Sequence, residues 1–96
     1  MKKKESIFKE KVLRDLKKLG PAYFFKTQER GRRGVPDIIG CLNGKFFALE
    51  LKTDVGDLDR LQREILVRIR AASGFAIETC PAQWPHDFEL LKETLK

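Results

Sequence analysis

Histidine is nearly missing from this chain: His86 is the single one. It follows Pro85 near the start of an expected helix, which reads as a surface position, and this weighs against zinc sites and histidine-based nuclease chemistry. Cysteine occurs twice, at Cys41 and Cys80. Both fall in expected strands and read as reduced, buried thiols of a compartment where disulfides are rare. No apolar run approaches the ~20 residues needed to span a bilayer. Met1-Lys2-Lys3-Lys4 is basic, but no apolar signal-peptide core follows it. Repeats and long linkers are absent as well. The expectation is one soluble, cytoplasmic domain of 96 residues with no membrane partner.

What the chain does have is charge. Twenty Lys and Arg stand against 14 Asp and Glu, a formal net charge of +6. An excess of this size favours a polyanionic partner, or it serves solubility alone. The hydrophobic share of 42% is enough for one modest core.

Phe8, Val12, Leu16 and Leu19 recur at helical spacing and predict a first helix over 4–19, ended by Gly20-Pro21. Glu5 falls on its apolar face and Glu10 points away. Glu5 is therefore the acid expected to turn inward, unless it only complements the helix N-terminus. Ala22 to Lys26 is an aromatic run and reads as a strand. A polar loop from Thr27 to Gly34 follows, carrying Arg30, Arg32 and Arg33. It is either a solvated connection or a basic loop that grips phosphates through planar guanidinium forks.

Gly34 to Lys52 is the centre of the chain. Asn43-Gly44 accepts positive φ at both central positions of a tight turn and predicts a hairpin. Its first strand opens at Asp37 and its second runs over 45–53. Alternation places Phe46, Ala48, Glu50 and Lys52 on one face and Phe47, Leu49 and Leu51 on the other. The hairpin brings the start of one strand opposite the end of the other, so Asp37 and Glu50 can converge. Paired carboxylates with an open coordination sphere suit Mg²⁺, a hard cation that takes oxygen ligands. Lys52 lies about 7 Å beyond Glu50 on the same face. Taken singly, each residue also has an ordinary reading as a turn residue or a surface ion pair.

A second helix is expected over 57–72, capped by Asp54 or Asp57, with a stripe of Leu58, Leu61, Ile65, Ile69 and Ala72. Gln62 lies within that stripe, and an inward amide needs partners. Arg60, Arg63, Arg68 and Arg70 spread over the other faces as solvated charge or a track for nucleic acid. Phe75 to Cys80 reads as a strand. Trp84 falls in an irregular piece between Pro81 and Pro85. A last helix over 86–95 should face Phe88, Leu91 and Leu95 inward.

The order Glu5, Gly34-Val-Pro-Asp37, Glu50-Leu-Lys52, Gln62 resembles the virus-type replication-repair nuclease domain, VRR-NUC, of the PD-(D/E)XK nuclease superfamily, over residues 5–80 and in its stand-alone phage or bacterial form. The resemblance implies a restriction-endonuclease-like α/β core, a mixed sheet flanked by helices in αβββαβ order. It implies that Asp37, Glu50 and the main-chain carbonyl of Leu51 bind Mg²⁺ or Mn²⁺. Lys52 would be the catalytic lysine, Gln62 the glutamine of the following helix, and Glu5, in competition with Glu10, the acid of the first helix. It further implies a homodimer resembling Holliday-junction resolvases. The expected function is a metal-dependent endonuclease for branched DNA, with Lys26, Arg30, Arg32 and Arg33 holding the backbone. A flap or single-strand nuclease using the same site, or a basic nucleic-acid-binding module without catalysis, are the alternatives.

Overall fold

The apolar stripe of the N-terminal segment becomes α1 (Lys4–Leu16), which buries Phe8, Val12, Asp15 and Leu16. A 3-10 turn over Lys17–Leu19 tightens its end before Gly20 turns the chain at φ 83°. The computed structural model describes residues 4–28, 33–53 and 59–96. Four strands follow the helix: β1 (Ala22–Lys26), β2 (Ile38–Leu42), β3 (Lys45–Leu51) and β4 (Phe75–Thr79). Between β3 and β4 the chain forms α2 (Arg60–Ala71), and α3 (Trp84–Thr94) closes it. The sheet is mixed, in the order β1-β2-β3-β4. β1/β2 and β2/β3 are antiparallel, while β3/β4 is parallel across the α2 crossover. The hairpin turn forms as the dipeptide dictates, with Asn43 at φ 54° and Gly44 at φ 78°. A radius of gyration of 12.8 Å matches the ~13 Å of a compact hundred-residue domain, so the described residues form one α+β unit.

Alternation along β3 divides the molecule into two layers. Phe47 and Leu49 are fully buried against α1 and α3, with Ile38, Leu42, Trp84 and Leu91. Ala48 faces the other way and meets Ala76 and Leu66 beneath α2. Small residues on that face let the helix approach closely. Gly40 serves the first layer similarly: a Cβ there would stand 2.6 Å from Phe24 Cβ and from Phe47 Cζ.

Several expectations need correction. α3 starts at Trp84, two residues early, because Pro85 fits its first turn, where no N–H is needed. Trp84 opens this helix as a core residue at 2% exposure and is not part of an irregular piece. Cys41 is exposed and Cys80 half-buried just past β4; both are free. Cys41 points to the sheet face that α2 leaves open beside β1. Leu66 is the buried residue of α2, whereas Leu61 is 40% exposed and Ile65 and Ile69 are half-buried. Leu58 lies outside the described residues. No helix among the described residues is long and apolar enough to cross a membrane.

Asp15 joins the two helices of the larger layer. Its Oδ2 accepts from Trp84 Nε1 at 2.8 Å, while Lys11 Nζ donates to Oδ1 at 3.1 Å. Burial alone would raise this carboxyl, but the bonds from Trp84, Lys11 and Lys18 and the Lys11 charge outweigh it and hold it below its ordinary 3.8. A carboxyl lowered in the folded state contributes stability that is present above the unfolded value and is lost as pH falls through the folded one. Thermal unfolding between pH 6 and 2.5 should therefore show an acid loss beginning near 4 that is smaller in Asp15→Asn. An unchanged acid limb in that variant would contradict the assignment.

Candidate active site

Asp37 stands immediately before β2, at a point the backbone pins from two sides. Thr27 N donates to the Asp37 carbonyl at 2.8 Å, and Thr27 Oγ1 to the Pro36 carbonyl at 2.6 Å. These bonds close the base of the arginine loop and hold Asp37 at the sheet. The last β2/β3 pair is Ile38 with Leu49, so one more step sets Asp37 opposite Glu50. Its carboxylate crosses to the neighbouring strand, where Oδ2 accepts from Leu51 N at 2.8 Å.

Glu50 follows Ala48 on the α2 side of β3, at 3% exposure. The two acids therefore share one end of one sheet face. Lys52 N donates to the Thr79 carbonyl at 2.9 Å, which carries the parallel pairing one residue past β3 and fixes the lysine backbone. Thr79 is itself anchored from below, where its Oγ1 donates to the buried Asp87 Oδ2 at 2.7 Å.

Gln62 joins α2 to this end of the sheet. Asp59 is the N-cap of α2, and its Oδ1 accepts from Gln62 N at 2.8 Å. Gln62 Oε1 accepts from Asp59 N at 3.2 Å and from Lys52 Nζ at 3.5 Å. One amide oxygen thus completes a capping box and orients the lysine. The inward amide expected at Gln62 has its partners. The cap is Asp59, whereas Asp54 and Asp57 lie outside the described residues. Asp59-x-x-Gln62 carries the capping-box spacing and was the signal to follow.

Gly34, next to Arg33, packs against the same helix. It adopts φ 78°, and a Cβ there would meet Ile65 Cδ1 and Leu61 Cγ at 2.8 Å. Only a residue without a side chain fits both the backbone and the space.

The remaining expected residues divide. Lys26, at the end of β1, and Arg33 are exposed, and Arg30 and Arg32 lie outside the described residues. Glu5 is exposed and Glu10 half-buried, contrary to the expected inward turn of Glu5. Glu5 does lie on the stripe, but one turn before Phe8, the first buried residue of α1, where the core no longer covers the helix. That first turn reaches the same end of the sheet, since Lys4, Ile7 and Phe8 line a cavity with Thr53 and Pro81.

Among the described residues, no three His, Cys, Asp or Glu side chains gather into a metal-binding group. The arrangement is a carboxylate pair with a main-chain carbonyl between Glu50 and Lys52, a donor set of hard oxygens. It fits a cation that keeps several waters, such as Mg²⁺, better than one that demands thiolate or imidazole.

No family model, no curated protein and no solved structure matches this chain.

Proposed function

We propose that this protein is a divalent-metal-dependent, structure-selective DNA endonuclease with a PD-(D/E)XK-type core, acting on branched DNA and foremost on four-way junctions. The observation that carries the reading is the hydrogen bond from Leu51 N to Asp37 Oδ2, which seats one acid beside the Glu50-Leu51-Lys52 segment. Around it stand a buried Glu50 and a lysine oriented by Gln62.

Asp37, Glu50 and the Leu51 carbonyl would hold Mg²⁺, with Mn²⁺ as a substitute. When bound, the cation polarises the phosphate and lowers the pKa of a coordinated water. The protein's own part is placement and charge. Asp37 and Glu50 are fixed by strand pairing, so little reorganisation is needed at the moment of reaction. The Lys52 ammonium, as the donor to Gln62, can turn to the phosphate oxygens where negative charge accumulates. Water would attack phosphorus and release a proton to solvent, the bond to one ester oxygen would break, and that oxygen would leave as the alcohol by taking a proton from solvent. The exposed Lys26 and Arg33, with Arg30 and Arg32, would grip backbone phosphates without reading bases, which makes affinity salt-dependent and sequence-tolerant.

A junction requires two cuts, and a two-fold dimer would supply two sites in matched orientation. Tyr23, Phe25 and Phe46, which are 72%, 45% and 42% exposed, offer an apolar surface for a second copy. The register places Tyr23, Cys41 and Phe46 in one row across three strands. Phe24 and Trp84 pack into the core and take no part in this surface.

The test is incubation with labelled four-way junctions, flaps, nicked duplex and single strands. Mg²⁺-dependent cleavage that is strongest on the junction is expected, with none in EDTA. DNA binding without cleavage of any substrate would leave a non-catalytic basic binding module in place of the enzyme.

A further inference from the structure

A cleft of about 500 Å³ lies between Arg33-Gly34 and the start of α2, with Asp59, Arg60, Leu61 and Gln62 on the helix side. We propose that it seats a backbone phosphate of the nucleic-acid strand beside the scissile one, clamped between Arg33 on one wall and Arg60 on the other. The inference rests on the nuclease reading for the identity of the strand, but its geometry stands separately.

Three observations carry it. The first is the wall chemistry. Arg33 and Arg60 are both exposed, and among the described residues neither side chain makes a hydrogen bond or an ion pair. Two guanidinium forks facing one polar space match phosphate oxygens better than any neutral group. The acid among the described lining residues, Asp59, is turned to its own helix, where its Oδ1 accepts from Gln62 N.

The second is rigidity. The contact of Gly34 with Leu61 and Ile65 leaves no room for even a Cβ, so the arm bearing Arg33 is pressed onto the helix bearing Arg60. This packing sets the backbone from which each arginine starts, and such preorganisation lowers the cost of binding.

The third is placement. Gln62 both lines the cleft and accepts from Lys52 Nζ, so the cleft opens next to the catalytic lysine. Arg60 is the first residue of α2, directly after the Asp59 cap, so its backbone position is fixed at the mouth of the cleft. In the sequence Arg60 is one of four arginines that read as solvated charge or as a track for nucleic acid; the cleft singles it out from the other three.

The experiment is fluorescence anisotropy of a labelled junction in EDTA across a KCl series, with wild type, Arg60→Gln, Arg33→Gln and, as a remote control, Arg14→Gln on α1. Each cleft variant should weaken binding about 5- to 10-fold and flatten the log–log salt slope by about one, whereas Arg14→Gln should leave the slope unchanged. The melting temperature of Arg60→Gln should not fall. Slopes for Arg60→Gln and Arg33→Gln equal to that of Arg14→Gln overturn the clamp. Mg²⁺-dependent cleavage by wild type in parallel separates the two claims. A flattened slope without any cleavage upholds the clamp and removes the enzyme, and cleavage with unaltered slopes does the reverse.

Discussion

Glu50→Gln is expected to reduce Mg²⁺-dependent cleavage at least about 10³-fold while leaving DNA affinity in EDTA within a few-fold of wild type. The substitution is close to isosteric, so the packing beneath α2 should persist. What disappears is the negative charge that, with Asp37, would hold the cation. Losing a preorganised electrostatic group of this kind costs about 10²–10³ in rate, and losing the cation with it costs more. Lys52→Ala should lose about 10²–10³ and should not be rescued by excess Mg²⁺, because it removes charge at the phosphate and not at the metal. Gln62→Leu should fall between wild type and Lys52→Ala, since it releases the lysine and half of the capping box without removing the ammonium. Single-turnover rates on one labelled junction order the series. Full activity in Glu50→Gln or Lys52→Ala would remove the mechanism.

The second large effect concerns stability. Trp84 is 2% exposed, packs on Phe88 with ring centroids 5.2 Å apart, and donates to Asp15. Trp84→Ala removes the largest fully buried side chain and should cost about 3–5 kcal/mol for the cavity. The buried Asp15 carboxylate also loses a donor, for a further ~1–3 kcal/mol. Domains of this size hold ~5–15 kcal/mol in all, so the variant should be partly or wholly unfolded at 25 °C. Trp84→Phe keeps much of the volume and should lose mainly the hydrogen-bond share. Urea unfolding followed by circular dichroism measures both. A Trp84→Ala loss below ~1 kcal/mol would show that the α1–α3 layer is not assembled around this side chain.

The parts of this protein that were readable in advance are those set by local chemistry. Asn43-Gly44 has few conformations compatible with the strands beside it, and the alternation of β3 fixes which of its residues face α2. The Phe8, Val12, Leu16 stripe needs only helical geometry to be buried. The convergence of Asp37 on β3 follows from hairpin register, whereas the apolar stripe shows only that Gln62 needs partners and the Asp59-x-x-Gln62 spacing identifies one. What was not readable depends on which surface another element happens to cover. Cys41 alternates as a strand residue should, but nothing local says that α2 stops short of β1 and leaves that face open. Glu5 obeys the helical angle and yet lies past the end of the core. Leu66 is buried ahead of Leu61 because it packs on Ala48 and Ala76, two small residues of β3 and β4. Trp84 sat beside prolines that suggested a break, when Pro85 was in fact opening a helix.

The claim on which the account turns is that Asp37 and Glu50 share one divalent cation at the end of β3. Isothermal titration with Mn²⁺ on the wild-type protein, without DNA, tests it most directly. The account predicts one Mn²⁺ per chain, displaced by excess Mg²⁺ and lost in both Asp37→Asn and Glu50→Gln, while Lys52→Ala still binds. Absence of Mn²⁺ binding by the wild type, or binding that survives undiminished in both acid variants, would contradict it.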